Sequence, residues 1–332
     1  MEPTQGPASS LPTPFDPGPA PPPPEIYQFK YRGEGTAFFF VIIKNIFLTI
    51  ITLGIYAAWA KTRRRQYIWS HVELHGQRMV YTGTGMELFI GYLKLAGVYL
   101  VIFGVPMALG RVSRTAQLVV QGIVGLAVVF LIPYAIYWSR AYLLSRTSWR
   151  GIRFGLADNV RAYARTFIGG YFLTLLTLGI YGPFWLNNLR TVMTNSTRLG
   201  SERFAYDGRG NEVFWICFKG FWLTLVTLGI YWFWMQARLQ RYYFSHTSYG
   251  GARGRFAITG GELFGLFILN AVATTMSFGL AFPWIATYSL RKILDRISFE
   301  GHIDFAQIFQ RDGAASPTAD GLADALGVDL GI

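Results

Sequence analysis

The nonamer LTIITLGIY at Leu48–Tyr56 decides the architecture of this chain because it recurs almost unchanged. It returns as LTLLTLGIY at Leu173–Tyr181 and as LTLVTLGIY at Leu223–Tyr231, and seven of the nine positions are identical in all three copies. A fourth, more divergent copy is SFGLAFPW at Ser277–Trp284, which aligns with Thr227–Trp234. Such recurrence within 332 residues indicates a chain built from internal repeats.

The composition indicates a membrane protein. Apolar residues make up 52% of the chain and charged residues only 14%, against the roughly 25% charged residues of soluble proteins. The net charge is +12, but the Arg and Lys residues cluster at the ends of apolar runs, where the positive-inside rule places them. Nucleic-acid binding is therefore not expected. The single cysteine, Cys217, excludes a disulfide within the chain, and no metal or cofactor is expected.

Six apolar runs are long enough to cross a bilayer as helices. They lie near residues 37–60, 86–110, 116–138, 166–186, 213–235 and 262–290. The last run contains Gly279 and Pro283 and fits either a tight hairpin of two short helices or one broken helix. The expected fold class is an all-α polytopic membrane protein with about seven transmembrane helices (six to eight), built from internal repeats.

The chain divides into three segments by composition. Residues 1–26 form a Pro-rich tail that lacks the pattern of a signal peptide and is expected to be extended or disordered. Residues 27–305 form the repeat-built transmembrane domain. Residues 306–332 are rich in Asp, Ala and Gly and are expected to be flexible.

A second recurrent unit lies between the apolar runs. It reads TSWRGIRFGL at Thr147–Leu156 and TSYGGARGRFAITGG at Thr247–Gly261. Related versions begin at Tyr27, Glu73, Ser196 and Ser298. Each combines turn residues with a short aromatic or β-branched stretch, which predicts a small β-arm at the membrane surface.

Two topologies compete. Loop charges place Lys61–Met86, Ser139–Arg165 and Gln236–Gly261 on the cytoplasmic side, with the N-terminal tail outside and the C-terminus inside. In the alternative, the six similar arms share one face and form a single sheet, and every LTxxTLGIY unit is a re-entrant hairpin. We favour the charge-based topology because only about six apolar residues separate Gly54 from Lys61, too few for a return span.

The conserved threonines and glycine of the nonamer predict helix packing. Threonines at i and i+3 share a helix face and can bond the i−4 carbonyl or a neighbouring helix, and the glycine permits close approach. A kinked, cavity-lining role is the alternative. The predicted packing residues are Thr49, Thr52, Gly54, Thr174, Thr177, Gly179, Thr224, Thr227 and Gly229.

Three lysines within the apolar runs are the candidate ligand-binding residues. Lys44 and Lys219 both precede the first threonine of their nonamers by five residues, and Lys94 lies at similar depth in its run. Asn45 and Asn270 occupy matching positions. A charge at mid-depth costs at least about 3 kcal/mol, so these lysines face either a polar cavity that binds an anion or, by snorkelling, the membrane interface.

The chain carries no recognisable catalytic site. It has no G-x-S-x-G elbow, P-loop or H-E-x-x-H motif. His71 and His75 have a metal-compatible spacing, but Gly76 follows at once and no further ligand is apparent. We therefore expect no enzymatic activity, no catalytic residue and no metal site.

The repeats resemble those of a known family. Three LTxxTLGIY copies, Trp followed by Arg, and the T-S-x-x-G-x-R-F arm resemble the bacterial YjgN-type inner-membrane family, which is described as a domain of unknown function. The resemblance covers about Tyr27–Phe305. In that family the Tyr-x-x-Trp step often carries proline, which this chain has only as Pro183 and, in the divergent copy, Pro283. The resemblance implies a multi-pass protein of the bacterial inner membrane and supplies no catalytic residue.

The sequence supports two functional hypotheses. The first is a multi-pass inner-membrane protein that binds or transports a small anionic or lipidic ligand. The second is a non-catalytic membrane scaffold that recruits partners through its β-arms and Pro-rich tail. The expected partners are the lipid bilayer and an anionic or lipid ligand, without nucleic acid, and the oligomeric state is left open.

Overall fold

The computed structural model describes residues 25–305 and residue 308. These residues form ten strands and ten helices, in which pairs of helices alternate with pairs of short strands. In chain order the elements are β1 (Glu25–Tyr31), α1 (Gly35–Ile51), α2 (Ala57–Ser70), β2 (Val72–Leu74), β3 (Gln77–Tyr81), α3 (Gly85–Gly110), α4 (Arg114–Ser145), β4 (Thr147–Trp149), β5 (Ile152–Leu156), α5 (Val160–Leu176), α6 (Gly182–Ser196), β6 (Thr197–Leu199), β7 (Glu202–Tyr206), α7 (Gly210–Val226), α8 (Trp232–Ser245), β8 (Thr247–Tyr249), β9 (Ala252–Phe256), α9 (Gly260–Met276), α10 (Phe282–Leu294) and β10 (Ile297–Gly301).

All ten strands belong to one closed antiparallel barrel in the order β1-β10-β9-β8-β7-β6-β5-β4-β3-β2. Each strand pairs with its neighbours in sequence, and the last strand closes the barrel against the first, with Gln28 opposite Ser298. The other edge of β1 pairs with β2, where Lys30 lies opposite Glu73. The predicted β-arms therefore share one face of the molecule and form one sheet.

The barrel interior is filled with side chains. Alternate residues of β1 point inward, so Tyr27 and Tyr31 are each only 2% exposed, and Trp149 of β4 is 1% exposed. The segment after β10 adds to this core: Ile303 belongs to it, and the Phe305 ring packs on the rings of Tyr27 and Trp149. The barrel is thus a packed core rather than a channel.

The expectation of an all-α polytopic fold with about seven spans is wrong. Of the helices in the part of the chain that the structure describes, only α3 and α4, with 26 and 32 residues, are long and apolar enough to cross a membrane. The other apolar runs are each split into two shorter helices. The physical reason is the conformation of the nonamer, which turns the chain back instead of continuing it.

The first nonamer shows how this turn is made. Helix α1 ends at Ile51, and Leu53 and Gly54 then adopt left-handed conformations with φ of 50° and 92°. The Gly54 N–H donates to the Thr49 carbonyl at 2.8 Å, and the Tyr56 N–H donates to the Thr52 hydroxyl at 3.0 Å. The other two nonamers and the divergent copy repeat this geometry, with glycines at φ of 94°, 95° and 87°. The threonines and glycines predicted to pack helices together lie at or beside these corners.

The charge-based topology is also wrong, for a related reason. The return helix α2 does not end where the apolar residues end but continues through KTRRR to Ser70. A return helix therefore needs far fewer apolar residues than a full span. The strand pairing confirms the single sheet of the alternative, since β7 and β8, which the charge argument placed on opposite faces, pair with Ala205 opposite Ser248.

Five helical hairpins stand on the barrel and form a ring, which we call the crown. Each hairpin packs against the next, and α10 closes the ring against α1. At this closure the Trp284 ring stacks on Phe39 with centroids 4.9 Å apart, and its Nε1 donates to the Thr36 hydroxyl. Gly35 allows this approach, because a Cβ there would overlap the Trp284 ring. The expectations for residues 1–24 and for most of residues 306–332 fall outside the described residues.

Candidate functional site

One position recurs in all five return helices, which we define as α2, α4, α6, α8 and α10, the helices that lead back to the barrel. It is the residue seven places before the strand that follows each helix. Its occupants, in chain order, are Arg65, Arg140, Arg190, Gln240 and Leu290. Leu290 packs against the barrel core, so in that helix the position faces the mouth of the barrel. We call the three arginines the axial arginine cluster.

Arg65 is buried, and Arg140 and Arg190 are half-buried. Arg65 is 9% exposed, and the Nε atoms of Arg140 and Arg190 are buried without a hydrogen-bond partner. The Arg190 guanidinium lies over the Tyr243 ring at 4.3 Å from the centroid and near the Tyr206 ring at 6.0 Å. Arg140 and Arg190 are also close enough for their charges to repel one another.

Within residues 25–305 and 308, no carboxylate pairs with Arg140 or Arg190. Ion pairs are found instead at the barrel ends of two hairpins, where Glu87 pairs with Arg146 at 2.8 Å and Glu262 pairs with Arg296. Burying an unpaired guanidinium costs several kcal/mol by order of magnitude. Two that repel each other cost more, so this arrangement favours a bound anion.

The neighbouring tyrosine cannot supply the missing charge. The Tyr206 hydroxyl donates to the Asn187 Oδ1 at 2.7 Å, and the Asn187 amide donates to the Gly208 carbonyl at 3.2 Å. Burial raises the pKa of the Tyr206 phenol above its usual value, despite the opposing effect of Arg190. The phenol therefore stays neutral at physiological pH, and the contact with Arg190 is a cation–π contact rather than an ion pair.

Two cavities lie between the helices of the first and last hairpins. The first, about 570 Å³, lies mainly between α1 and α2 and includes Asn45, Lys61 and Arg64 in a largely apolar lining. The second, about 520 Å³, lies between α9 and α10 and includes Asn270 and Ser289. The two cavities are equivalent in register, because Asn45 and Asn270 each lie ten residues after the glycine that begins their helix. Only the first one has a basic wall.

The structure separates the asparagines and lysines that the sequence grouped together. Asn45 is 6% exposed, and its amide donates to the Ala60 carbonyl at 3.4 Å in the first cavity. Lys44 and Lys219 are exposed, Lys94 is half-buried, and none of the three lines either cavity. All three lie nine residues after the glycine that begins their helix, at one depth. A ligand-binding role for these five residues stays a prediction.

The sequence contained a signal for the axial arginines that our reading missed. Arg65 belongs to the KTRRR segment, and Arg140 and Arg190 each follow an apolar run, so all three resembled ordinary interfacial residues. Each of the three lies seven residues before the first residue of the next strand, and this spacing distinguishes them from the exposed Arg63 and Arg64. Counting backward from the arms, rather than forward from the apolar runs, reveals this register.

A comparison with known protein families gives one match. The family model described as "Bacterial protein of unknown function (DUF898)" matches residues 26–209, 201–264 and 235–325. These segments together cover most of the chain. No solved structure matches this chain.

Curated relatives named "Inner membrane protein YjgN" are similar to part of the chain. The protein of Escherichia coli (strain K12) is 33% identical over 137 residues, which is 41% of this chain and 33% of the relative. The protein of Salmonella typhimurium is 30% identical over 141 residues, which is 41% of this chain and 32% of the relative. The chain thus spans about a third of the length of the curated relatives it matches.

Proposed function

Because this chain belongs to the DUF898 family of bacterial proteins of unknown function, and its curated relatives are named inner membrane proteins, we propose that it is an inner-membrane protein that binds an anionic ligand at the mouth of its barrel. The observation that carries this proposal is the pair of half-buried arginines, Arg140 and Arg190, whose Nε atoms are buried and have no hydrogen-bond partner among the described residues.

The membrane placement follows from the longest hairpin. Helices α3 and α4 have the length and composition of membrane spans, and as spans they would bring Arg111 and Arg114, in the turn between them, to water on the far side. The barrel side carries many more Arg and Lys residues than this turn does, and by the positive-inside rule we place the barrel on the cytoplasmic side. The axial cluster lies seven residues, about 10 Å of helix rise, from the barrel, and hence near the lipid headgroups on that side.

The chemistry of the cluster favours a phosphate-like anion. A guanidinium group presents a planar fork of N–H donors that matches the oxygens of phosphate or carboxylate. A dianion held between Arg140 and Arg190 would convert their repulsion into two attractions, and Gln240 at the equivalent position could donate a further hydrogen bond. Inorganic phosphate and the phosphate of an anionic lipid offer the same oxygens.

The scaffold hypothesis has less support. Its partners would bind the β-arms, but the ten strands of these arms pair with one another, and the closed barrel has no free edge strand. Transport through the barrel is disfavoured too, because Tyr27 and Trp149 belong to its packed core. Binding is therefore the function that the geometry supports best.

Thermal unfolding in nanodiscs of zwitterionic lipid tests the proposal. Inorganic pyrophosphate, or an anionic phospholipid added to the disc, is expected to raise the Tm of the unaltered chain. A ligand at a hundred times its Kd stabilises by about 2.7 kcal/mol, or roughly 4 °C for a chain of this length. Arg140→Gln with Arg190→Gln should abolish the shift and raise the ligand-free Tm, because the charges that repel are gone.

The matched control is Arg161→Gln with Arg238→Gln, which removes the same net charge from exposed positions. It should keep the full response. A response to pyrophosphate alone assigns a soluble anion, and a response to the anionic lipid alone assigns a headgroup. If the axial double variant responds as the unaltered chain does, the proposal is wrong.

A further inference from the structure

Four of the five hairpin tips expose a large apolar residue in a strained conformation. Leu53, Leu178 and Leu228 have φ of 50°, and Phe278 has φ of 51°. Their exposed fractions are 94%, 94%, 93% and 97%, the highest among the large apolar residues. Each is followed by a glycine that is also left-handed. We call these four residues the tip residues.

The backbone of the tip residues is strained, and no contact within the described chain buries their side chains. A left-handed conformation costs a residue with a Cβ roughly 1–2 kcal/mol, and a glycine would adopt it freely. A fully exposed leucine or phenylalanine also gains no burial energy from its own fold. Strained backbone kept at equivalent places typically serves a function, and here the side chains must gain their energy from outside the chain.

The fifth tip has the opposite chemistry. Helices α3 and α4 span about 39 and 48 Å, enough to cross roughly 30 Å of hydrocarbon. Their turn carries Arg111, Ser113 and Arg114, and the Ser113 hydroxyl accepts the Ala116 N–H in an N-cap. The side chains of this turn are polar enough to lie in water.

The four other hairpins are too short to do the same. The outgoing helix α1, with 17 residues, spans about 26 Å, and α2, with 14 residues, spans about 21 Å. Helices α5 to α10 have 13 to 17 residues. Since all five hairpins start from one barrel, the four short ones fall more than 10 Å short of the tip of the long one.

We infer that the hairpins α1–α2, α5–α6, α7–α8 and α9–α10 are re-entrant: they enter the bilayer from the barrel side and end within the hydrocarbon. The partner of the tip residues is the acyl-chain region of the membrane. Only α3–α4 reaches the far side. This surface is separate from the axial arginine cluster, and the inference stands whether or not an anion binds there.

Single cysteines in a Cys217→Ala background test the inference. Leu53→Cys, Leu178→Cys, Leu228→Cys and Phe278→Cys replace the tip residues. Val112→Cys in the long hairpin is the matched control because Val112 is 87% exposed at a tip. Gln77→Cys marks the exposed barrel side. A membrane-impermeant maleimide is applied to intact spheroplasts and to inverted vesicles.

Val112→Cys should be labelled in one preparation only and Gln77→Cys only in the other, while the four tip cysteines react in neither until detergent is added. A fluorophore attached to each tip in detergent, followed by reconstitution, should be quenched more by lipids spin-labelled along the acyl chain than by lipids labelled at the headgroup. Labelling of the tips from the Val112 side would mean that the short hairpins cross the membrane. Labelling from the Gln77 side would mean that they are not inserted, and either result would overturn the inference.

Discussion

At the scale of single residues, glycines beside aromatic rings set how closely the elements approach. Gly33, Gly83 and Gly208 each lie two residues after a tyrosine whose ring occupies the space that a Cβ would need. Two residues further on a second glycine begins a helix, and at Gly85 the neighbour is the Trp59 ring of the preceding hairpin. The two glycines of each pair leave the aromatic rings the space that a Cβ would fill. They let a strand turn into a helix under two aromatic rings.

The substitution Gly83→Ala tests this role. The new Cβ would lie 2.6 Å from the Tyr81 hydroxyl oxygen, so the ring must leave a core in which it is 5% exposed. We expect a loss of about 1–3 kcal/mol in the free energy of unfolding, seen as a lower Tm. Gly97→Ala is the control because nothing lies near its Cβ, and it should leave the Tm unchanged or higher. Equal effects of the two substitutions would contradict the packing role.

The position of a residue was predictable from the sequence where it occupies the same place in two repeats. The match between Asn45 and Asn270 placed both residues in equivalent cavities. The direction of Lys44 was not predictable, because one residue along a helix rotates the side chain by about 100° and hydropathy does not say which face is inside. The axial arginines were hidden for the same reason.

At the scale of elements, the barrel ends of two hairpins are held by the same arrangement of a threonine, a glutamate and an arginine. In the second hairpin Glu87 forms a capping box with Thr84, accepts the Tyr142 hydroxyl at 3.0 Å and pairs with Arg146. In the fifth, Glu262 caps with Thr259 and pairs with Arg296. One carboxylate thus begins the outgoing helix and holds the end of the return helix.

Replacing Glu87 by Gln should therefore lower the stability of the hairpin base. The carboxylate and Arg146 are about three-quarters buried, so screening by water is weak. We expect a loss of about 1–3 kcal/mol, measured as a change in Tm. Asp207→Asn, which breaks the exposed Arg253–Asp207 pair, should change stability by less than about 0.5 kcal/mol. The assignment fails if the Asp207 variant is the less stable of the two.

The nonamer was recognised from the sequence as the organising element, but its conformation was not. Hydropathy treats Leu53 as one more apolar residue in a span, whereas its left-handed backbone reverses the chain there. The available signal was local: glycine is the residue that most often ends a helix in this conformation. Reading Thr-Leu-Gly as a helix end, rather than as a packing motif, would have given the correct hairpins.

At the scale of the whole molecule, one closed barrel holds the five hairpins in register. The alternative in which similar arms share one sheet is confirmed, and the preference for charge failed because KTRRR lies inside a helix rather than in a loop. The positive-inside rule counts basic residues beside a span and cannot tell a return helix from a loop. Similarity between the arms was the stronger argument, since identical elements pair most easily with one another.

Cross-linking between β7 and β8 tests this architecture directly. Ala205→Cys and Ser248→Cys in a Cys217→Ala background lie directly opposite each other, with Cβ atoms expected about 4.5–5.5 Å apart. A short thiol cross-linker should join them within one chain, detected by proteolysis between the two sites. Ala205→Cys with Gln77→Cys, on strands that are not neighbours, should not react. If crossing helices put the two arms on opposite sides of the membrane, the first pair would not react.

The closure of β1 against β10 has a consequence for synthesis of the chain. Gln28 leaves the ribosome 270 residues before its partner Ser298. At about 5–20 residues per second, one edge of β1 waits roughly 15–55 s for its partner. During that interval the barrel is open, and the unpaired edge of β1 can pair with a strand of another chain. The synthesis of β10 therefore decides whether the barrel closes.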